Sequence, residues 1–404
     1  MGQRLLSKEV DDRYSLKIDK NIRKEGAHGI MAWGENNDYP QLMEKIRLGS
    51  PTAKAVSRVY SKFLAGLGFE VEELNNQVIG KDAKGKNITL KSLLTAICNE
   101  VAGHNGYYLH CNVNLDGVIG SVHLKPFKNC RFAKPDDQEY SALILYHEDW
   151  AKEGIRGKRY DPKKAKAYNV FNLNPAVIQA QVLKAGGLEK YKGQIYFQFL
   201  DEQYFYPLNP FDAVYLDCDT EAQIALYKNR QIRDGFFDQV LVRVAPSGTD
   251  EEKQEFIDEL KRKLGPGGDK VTVMEDDIDP DTNAVSDSGA FKVDKLASTI
   301  NDKLFENWEK SLSNNIRKEG GKGMPAILID YEENKLSTTS GEAVIQATNF
   351  YNAITADDRA LIEQSIAEVF SRFDNELLRK NTNWKIKPLS ILSDVTDTGT
   401  AAGN

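Results

Sequence analysis

Between Asn209-Pro210 and Arg233 the chain carries one apolar stripe, and it constrains the fold more than any other segment. Phe211, Val214, Tyr215, Cys218, Ala222, Ala225, Leu226 and Ile232 recur at i, i+3, i+4 spacing, the period of one helix face. Asn209 is a capping residue and Pro210 suits a first helical position. Asp212, Asp217, Asp219 and Glu221 crowd the start, and Lys228, Arg230 and Arg233 the end, which complements a helix dipole. The spacing predicts a helix over 211–234 that runs roughly 36 Å at about 1.5 Å per residue. Such a helix is either the core helix of a large domain or one that packs against neighbouring copies. The residues alone leave both open.

Around it the pattern is α+β. Asp38 can cap a helix that Tyr39-Pro40 opens, with Leu42, Ile46, Ala53, Val56, Val59, Tyr60 and Phe63 at helical spacing, a break at Ser50-Pro51, and Gly66 and Gly68 as its end. A second helix is expected over Leu90–Val101, closed by Gly103. From Tyr107 to Phe132 the period switches to two, and Asp116-Gly117 marks a hairpin. Ala142–Tyr146, Gln194–Phe205, Gln239–Val244 and Lys270–Met274 read as strands. Residues 151–168 read as a Lys-, Arg- and Gly-rich loop or tip. Helices are expected from Asn174-Pro175 to Leu183, over Asp250–Leu264, from Asp294 to Asn314, and over 341–374 with an interruption at Asn352–Thr355. Thr339-Ser340-Gly341-Glu342 and Thr355-Ala356-Asp357-Asp358 resemble capping boxes at the two starts of that last, broken helix. Residues beyond about 384 lack periodicity and are expected to fray. Little self-contained core is apparent for a chain of 404 residues.

Chemistry has little foothold. Cys98, Cys111, Cys130 and Cys218 never form C-x-x-C, so a disulfide scaffold is not expected and a reducing compartment fits. The first residues have no signal-peptide core, Gly2 with Ser7 misses the myristoylation spacing, and no window approaches a membrane span. Gly265-Pro266-Gly267-Gly268-Asp269-Lys270 lacks Walker spacing and a following Ser or Thr. Asp277, Asp279, Asp281 and Asn283 imitate the start of a calcium loop, but Thr282 stands where glycine is needed and Ser288 where glutamate is. His110, Cys111 and His123 can share one hairpin but fall short of four zinc ligands. Neither a nucleophile elbow nor a paired-carboxylate pattern stands out. With a net charge of −7 and no dominant Lys/Arg cluster, tight static DNA binding is not expected. The hexapeptide Asn21–Gly26 reappears as Asn315–Gly320 without repeating surroundings.

Several segments, in order, resemble the portal family of tailed bacteriophages, in particular portals of phages of Bacteroidetes-type hosts. They are Gly34-Glu35-Asn36-Asn37-Asp38-Tyr39-Pro40 with Gly66-Leu67-Gly68-Phe69, the 107–132 hairpin with Pro126 and Arg131, and Tyr206-Pro207-Leu208-Asn209-Pro210. Phe236-Phe237-Asp238-Gln239, Gly323-Met324-Pro325-Ala326-Ile327-Leu328 and Ser337–Ser340 complete the set. The resemblance covers roughly residues 34–375. It implies an α+β, portal-like fold with long stem helices, a mixed α/β wing, a small clip and a kinked tunnel helix. Mapped on this chain it implies an N-terminal wing part (1–135), a first stem segment and clip (136–208), and a second stem helix (209–237). A second wing part (238–329), a tunnel loop (330–340), a kinked tunnel helix with short crown (341–375) and a tail (376–404) follow. Val214, Tyr215, Cys218, Ala222, Ala225 and Leu226 would pack stem helices. Glu332, Glu333, Asn334, Lys335, Leu336, Ser337 and Thr338 would form the tunnel loop, with Lys335 touching phosphates transiently.

The family forms rings, usually of twelve subunits, at one capsid vertex of the virion after assembly in the host cytoplasm. Double-stranded DNA passes through the channel in packaging and ejection. The implied partners are the large terminase, capsid and scaffold protein, and neck or adaptor proteins. No catalytic site, cofactor, metal or membrane contact is implied. Two other readings remain: a different virion neck or adaptor ring protein, and a metal enzyme built on the acidic 275–288 stretch.

Overall fold

The computed structural model describes residues 22–23, 29–34, 37–114, 116–148, 150, 165–201, 205–233, 239–244, 271–275, 291–296, 302–330 and 340–390. The chain divides into two compact units, one of residues 1–218 with 314–404 and one of residues 219–313.

In unit 1, β1 (Ile22–Arg23) and β2 (Ile30–Met31) pair antiparallel ahead of α1 (Tyr39–Gly49) and α2 (Pro51–Ala65). Ser50 separates the two helices because its hydroxyl accepts the Ala53 N–H at 3.0 Å and Pro51 cannot continue the preceding ladder. The short helix α3 (Glu72–Asn75) and the pair β3 (Val78–Lys81) and β4 (Asn87–Thr89) lead into α4 (Leu90–His104). Gly103 does not close α4; Asn105 does, in the left-handed region with φ 57°. β5 (Gly106–Val113) and β6 (Ile119–Lys125) form the expected hairpin, with His110 opposite His123. β7 (Cys130–Phe132), β8 (Leu143–Tyr146), β9 (Lys166–Val170), α5 (Pro175–Ala185) and β10 (Gln194–Phe199) follow.

These strands make one six-stranded sheet in the order β6-β5-β10-β9-β8-β7. β10 is antiparallel to β5 and parallel to β9. β8, β9 and β10 therefore extend the sheet that β5 and β6 begin, across the boundary expected after residue 135. In the register, Gln194–Phe199 lies along Gly106–Cys111 of β5, Phe199 against Gly106 and Gln194 against Cys111.

The helix α6 (Tyr215–Arg233) starts four residues later than the stripe predicts. Asn209 does accept the Phe211 N–H on its Oδ1 at 3.0 Å, the contact of a capping residue, while its Nδ2 donates to the Gly103 carbonyl at 2.6 Å, but no helix follows directly. Successive turns at Asn209–Val214 replace the first helical turns. In unit 2, β11 (Gln239–Val244) lies between β12 (Val271–Glu275), parallel to it, and β13 (Phe291–Leu296), antiparallel. The helix expected from Asp294 begins only at Asp302, because Phe291–Leu296 joins that sheet; α7 then runs Asp302–Glu319. A 238–329 wing part is likewise divided, since β11–β13 form their own sheet in unit 2 while Ile316 and Met324 belong to the core of unit 1.

α8 (Ser340–Ile354) and α9 (Ala356–Phe370) come next, separated by Thr355 alone. Thr355 makes no capping box. Its hydroxyl donates back to the Tyr351 carbonyl at 2.9 Å, a contact that bends helices. The tail is not frayed up to residue 390. After α10 (Glu376–Lys380), Trp384 packs on Phe69 and Phe370, and Ile386 is buried. Leu67 N–H donates to the Lys387 carbonyl and Lys387 N–H to that of Gly68, each at 2.8 Å. Gly66 makes this possible, since a Cβ there would stand 2.1 Å from the Lys387 oxygen.

Unit 1 owns a continuous core, contrary to the sequence expectation. It joins Val56, Tyr60 and Leu64 of α2, Ile97 and Val101 of α4, Tyr107 and Leu109 of β5, and Ile362, Ile366 and Phe370 of α9, each at 2% exposure or below. Contacts between segments that far apart in the chain leave no local periodicity to read. Among the described residues no helix is long and apolar enough to cross a membrane.

Candidate functional site

The stem-helix candidates divide along α6. Val214 and Cys218 are buried in the core of unit 1 and Tyr215 packs against it. Ala222 is half-buried, while Ala225 and Leu226 are exposed and Ile224, which the stripe omits, is buried. Both α6 and α7 span the division between the units, which falls after Cys218 and after Ser313. Within unit 2 the two helices are joined by Lys228 and Glu309, Nζ to Oε1 at 2.6 Å. The tunnel-loop candidates Glu332, Glu333, Asn334, Lys335, Leu336, Ser337 and Thr338 lie outside the described residues, as do residues 151–164 of the tip expected over 151–168 (its end, from Lys166, is in β9), the Asp250–Leu264 helix, the Gly265–Asp269 turn, the Asp277–Ser288 stretch and residues 391–404.

The segment leading into α6 is held by the Gly34–Pro40 motif. The Tyr39 hydroxyl donates to Asp212 Oδ1 at 2.8 Å and accepts the Asn209 N–H at 3.2 Å. Burial and the Asp212 carboxylate push this phenol well above its ordinary range, so it stays a donor. Asn37, in the left-handed region, accepts Arg131 Nε on its side chain at 2.6 Å and Arg131 Nη2 on its carbonyl at 2.9 Å. Arg131 is wholly buried. Nη1 donates to the Lys128 and Cys130 carbonyls, and the guanidinium carbon lies 5.6 Å from the Trp33 and Trp150 ring centres. Desolvation lowers its pKa, yet arginine keeps its charge in proteins.

The other cluster surrounds the loop after α7. Gly320 lies against Phe211, the Tyr351 hydroxyl donates to the Gly321 carbonyl at 2.8 Å, and Lys322 Nζ reaches Asp358 Oδ2 at 2.7 Å. Asp358 Oδ2 also accepts the Tyr60 hydroxyl at 2.6 Å. Arg359 Nη2 donates to Asn352 Oδ1 and Thr355 Oγ1, each at 3.2 Å, across the break between α8 and α9. No sequence pattern announces these pairs, because their members come from separate helices and loops.

His110 and His123 face each other with ring centres 6.4 Å apart, whereas Cys111 points into the core. Burial pulls His110 down to about 4, so it is neutral at pH 7. Among the described residues no group of three or more His, Cys, Asp or Glu is placed to hold a metal ion. One titrating pair has no sequence signal. Burial pushes Glu100 up to about 7, while burial, then the positive charges of Arg47, Lys128 and Arg131, pull His104 down to about 3. The His104 Nε2 to Glu100 Oε2 distance is 3.8 Å.

No protein-family model matches the sequence, and no curated protein matches it. Among solved structures the chain is similar to a chain in the neck of the empty gene transfer agent (GTA) particle, at 12% identity and TM-score 0.49, over 89% of this chain and 85% of that one. A chain in the virion of the native GTA particle is similar at 14% identity and TM-score 0.46, over 83% of this chain and 80% of that one. An HK97-family phage portal protein from Corynebacterium diphtheriae is similar at 9% identity and TM-score 0.37, over 74% of this chain and 82% of that one.

Proposed function

We propose that this chain is a portal subunit, many copies of which close into a ring around a channel for double-stranded DNA at one capsid vertex. The observation that carries the reading is the insertion. One helix leaves unit 1, a small sheet follows, and a second helix returns, with each helix spanning the division between units. In this reading α6 and α7 are the two stem helices and the β11–β13 segment is the clip, in place of the stem and clip expected at 136–208. Unit 1 is the wing, and α8–α9, broken at Thr355, is the kinked tunnel helix. The exposed Ala225 and Leu226 of α6 pack against a neighbouring subunit. The 330–340 stretch lines the channel, where acidic Glu332 and Glu333 beside a single Lys335 let DNA slide instead of gripping it.

The clip docks the large terminase during packaging and neck or adaptor proteins afterwards; capsid or scaffold protein surrounds the wing. Negative-stain images of the purified chain test the central claim. A ring with an open centre is expected, and a protein that stays monomeric at high concentration overturns it. Co-sedimentation of the ring with large terminase separates a portal from another neck or adaptor ring protein. Lys335→Ala is expected to change DNA packaging while leaving ring assembly intact.

A further inference from the structure

The loop Gly320–Pro325 is fastened on three sides, all within unit 1. Toward α7 it continues the helix end: Lys322 N–H donates to the Glu319 carbonyl at 3.1 Å, and Gly323 N–H to that of Lys318 at 2.7 Å. Toward the turns before α6 it leaves no gap, because a Cβ at 320 would come within 2.3 Å of the Phe211 ring. Toward the broken helix it grips both sides of Thr355. Tyr351, in the last turn of α8, donates to the Gly321 carbonyl, and Asp358, in the first turn of α9, accepts from Lys322.

Lys322 is the hinge pin of this arrangement. Its backbone is left-handed, with φ 51°, which turns its side chain back from the helix it has just left. Its ammonium lies 5.4 Å from the Tyr60 ring centre, and Tyr60 donates to the same Asp358 oxygen. Lysine, phenol and carboxylate thus form a three-way contact, with the Lys322 and Asp358 side chains 32% and 14% exposed. A pair this shielded is screened by salt far less than a surface pair, and removing one partner leaves the other charge poorly solvated. The bland alternative is an ion pair that adds stability and links nothing.

We propose that Lys322 is a clasp that locks the exit of α7 onto the first turn of α9, so that the α8–α9 break and the end of α7 open together. The inference concerns unit 1 alone and stands whether or not the chain forms a ring. Amide hydrogen exchange on the full chain tests it, read at residues 314–319, 356–362 and, as a reference in the sheet, 143–146 of β8. Lys322→Met keeps the stem over Tyr60 and removes the charge. It is expected to speed exchange about tenfold at both 314–319 and 356–362 while leaving 143–146 unchanged, the signature of a shared local opening. Asp358→Asn, still able to accept from Tyr60, is expected to give the same two-place pattern. The double variant should add little further, and Lys322→Arg should restore wild-type rates. Acceleration at only one of the two places, a uniform rise that includes 143–146, or an arginine variant that behaves like methionine would each overturn the clasp.

Discussion

Unit 1 gathers its core from Met31 to Ile386, whereas unit 2 is one unbroken run, residues 219–313, whose sheet uses strands from 239–296 only. The difference teaches where each unit's stability is kept. Unit 1 depends on contacts that must be made across the chain: Arg131 to Asn37, Tyr39 to Asp212, Trp384 to Phe69 and Phe370. In unit 2 the sheet is closed within 239–296, and the described ion pair Lys228 with Glu309 is 46% and 42% exposed. The four tryptophans report the contrast, because Trp33, Trp150 and Trp384 lie in unit 1 and Trp308 in unit 2.

The hardest blow to unit 1 is Arg131→Ala. It strands the Asn37, Lys128 and Cys130 acceptors and opens a void, with an expected loss of about 4 kcal/mol in urea unfolding followed by tryptophan emission. Trp384→Ala removes the plug that the C-terminal segment places in the core. About 3 kcal/mol is expected to be lost, with the helical circular-dichroism signal retained below the transition.

A pH titration sharpens the picture further. Glu100, raised in the folded state to about 7 from 4.5, contributes stability that is full below about 4.5 and lost as pH rises through about 7. His104, lowered to about 3 from 6.5, acts oppositely: stability is lost as pH falls from 6.5 toward 3. Between 4.5 and 6.5 the two slopes oppose each other. Glu100→Gln removes one of them, so stability should then rise more steeply with pH, by on the order of 2 kcal/mol across that window. An unchanged profile would sink the assignment of Glu100. Lys228→Ala, in unit 2, should shift the thermal midpoint least, with a change of about 0.5 kcal/mol or less. A loss as large as that of Arg131→Ala would break the contrast between the units.

What was legible in the sequence follows the same line. Ser50-Pro51 and Asp116-Gly117 carry their signals within four residues, and both elements stand where the pattern puts them. Gln239–Val244, rich in valine, forms β11 where the sequence reads a strand. Asn209-Pro210 carries an equally strong local signal and its Oδ1 makes the expected contact to the Phe211 N–H, yet turns occupy Asn209–Val214 and the helix begins only at Tyr215. The repeated hexapeptide makes the point most simply: Ile22–Arg23 is a strand and Ile316–Arg317 lies in a helix. Identical residues take opposite forms when tertiary context decides. The Lys322, Asp358 and Tyr60 contact had no signature at all, since it joins three segments that share no period. The broken helix, by contrast, was readable from Thr355, although the hydroxyl bends the chain by bonding backward and not by capping forward.

The antiparallel bridge between Phe69 and Ile386 has a consequence for how a ribosome delivers this protein. Every strand of the inserted sheet has been synthesised by residue 296, and α7 is complete by 319. The groove beside Gly66–Phe69 must wait for Trp384–Lys387, which emerge more than three hundred residues after it. At ordinary elongation rates of roughly 5–20 residues per second that delay is on the order of tens of seconds, during which the larger unit carries an open seam. Nascent chains stalled shortly before Trp384 should therefore bind holdase chaperones, and release them once the last segment has cleared the exit tunnel.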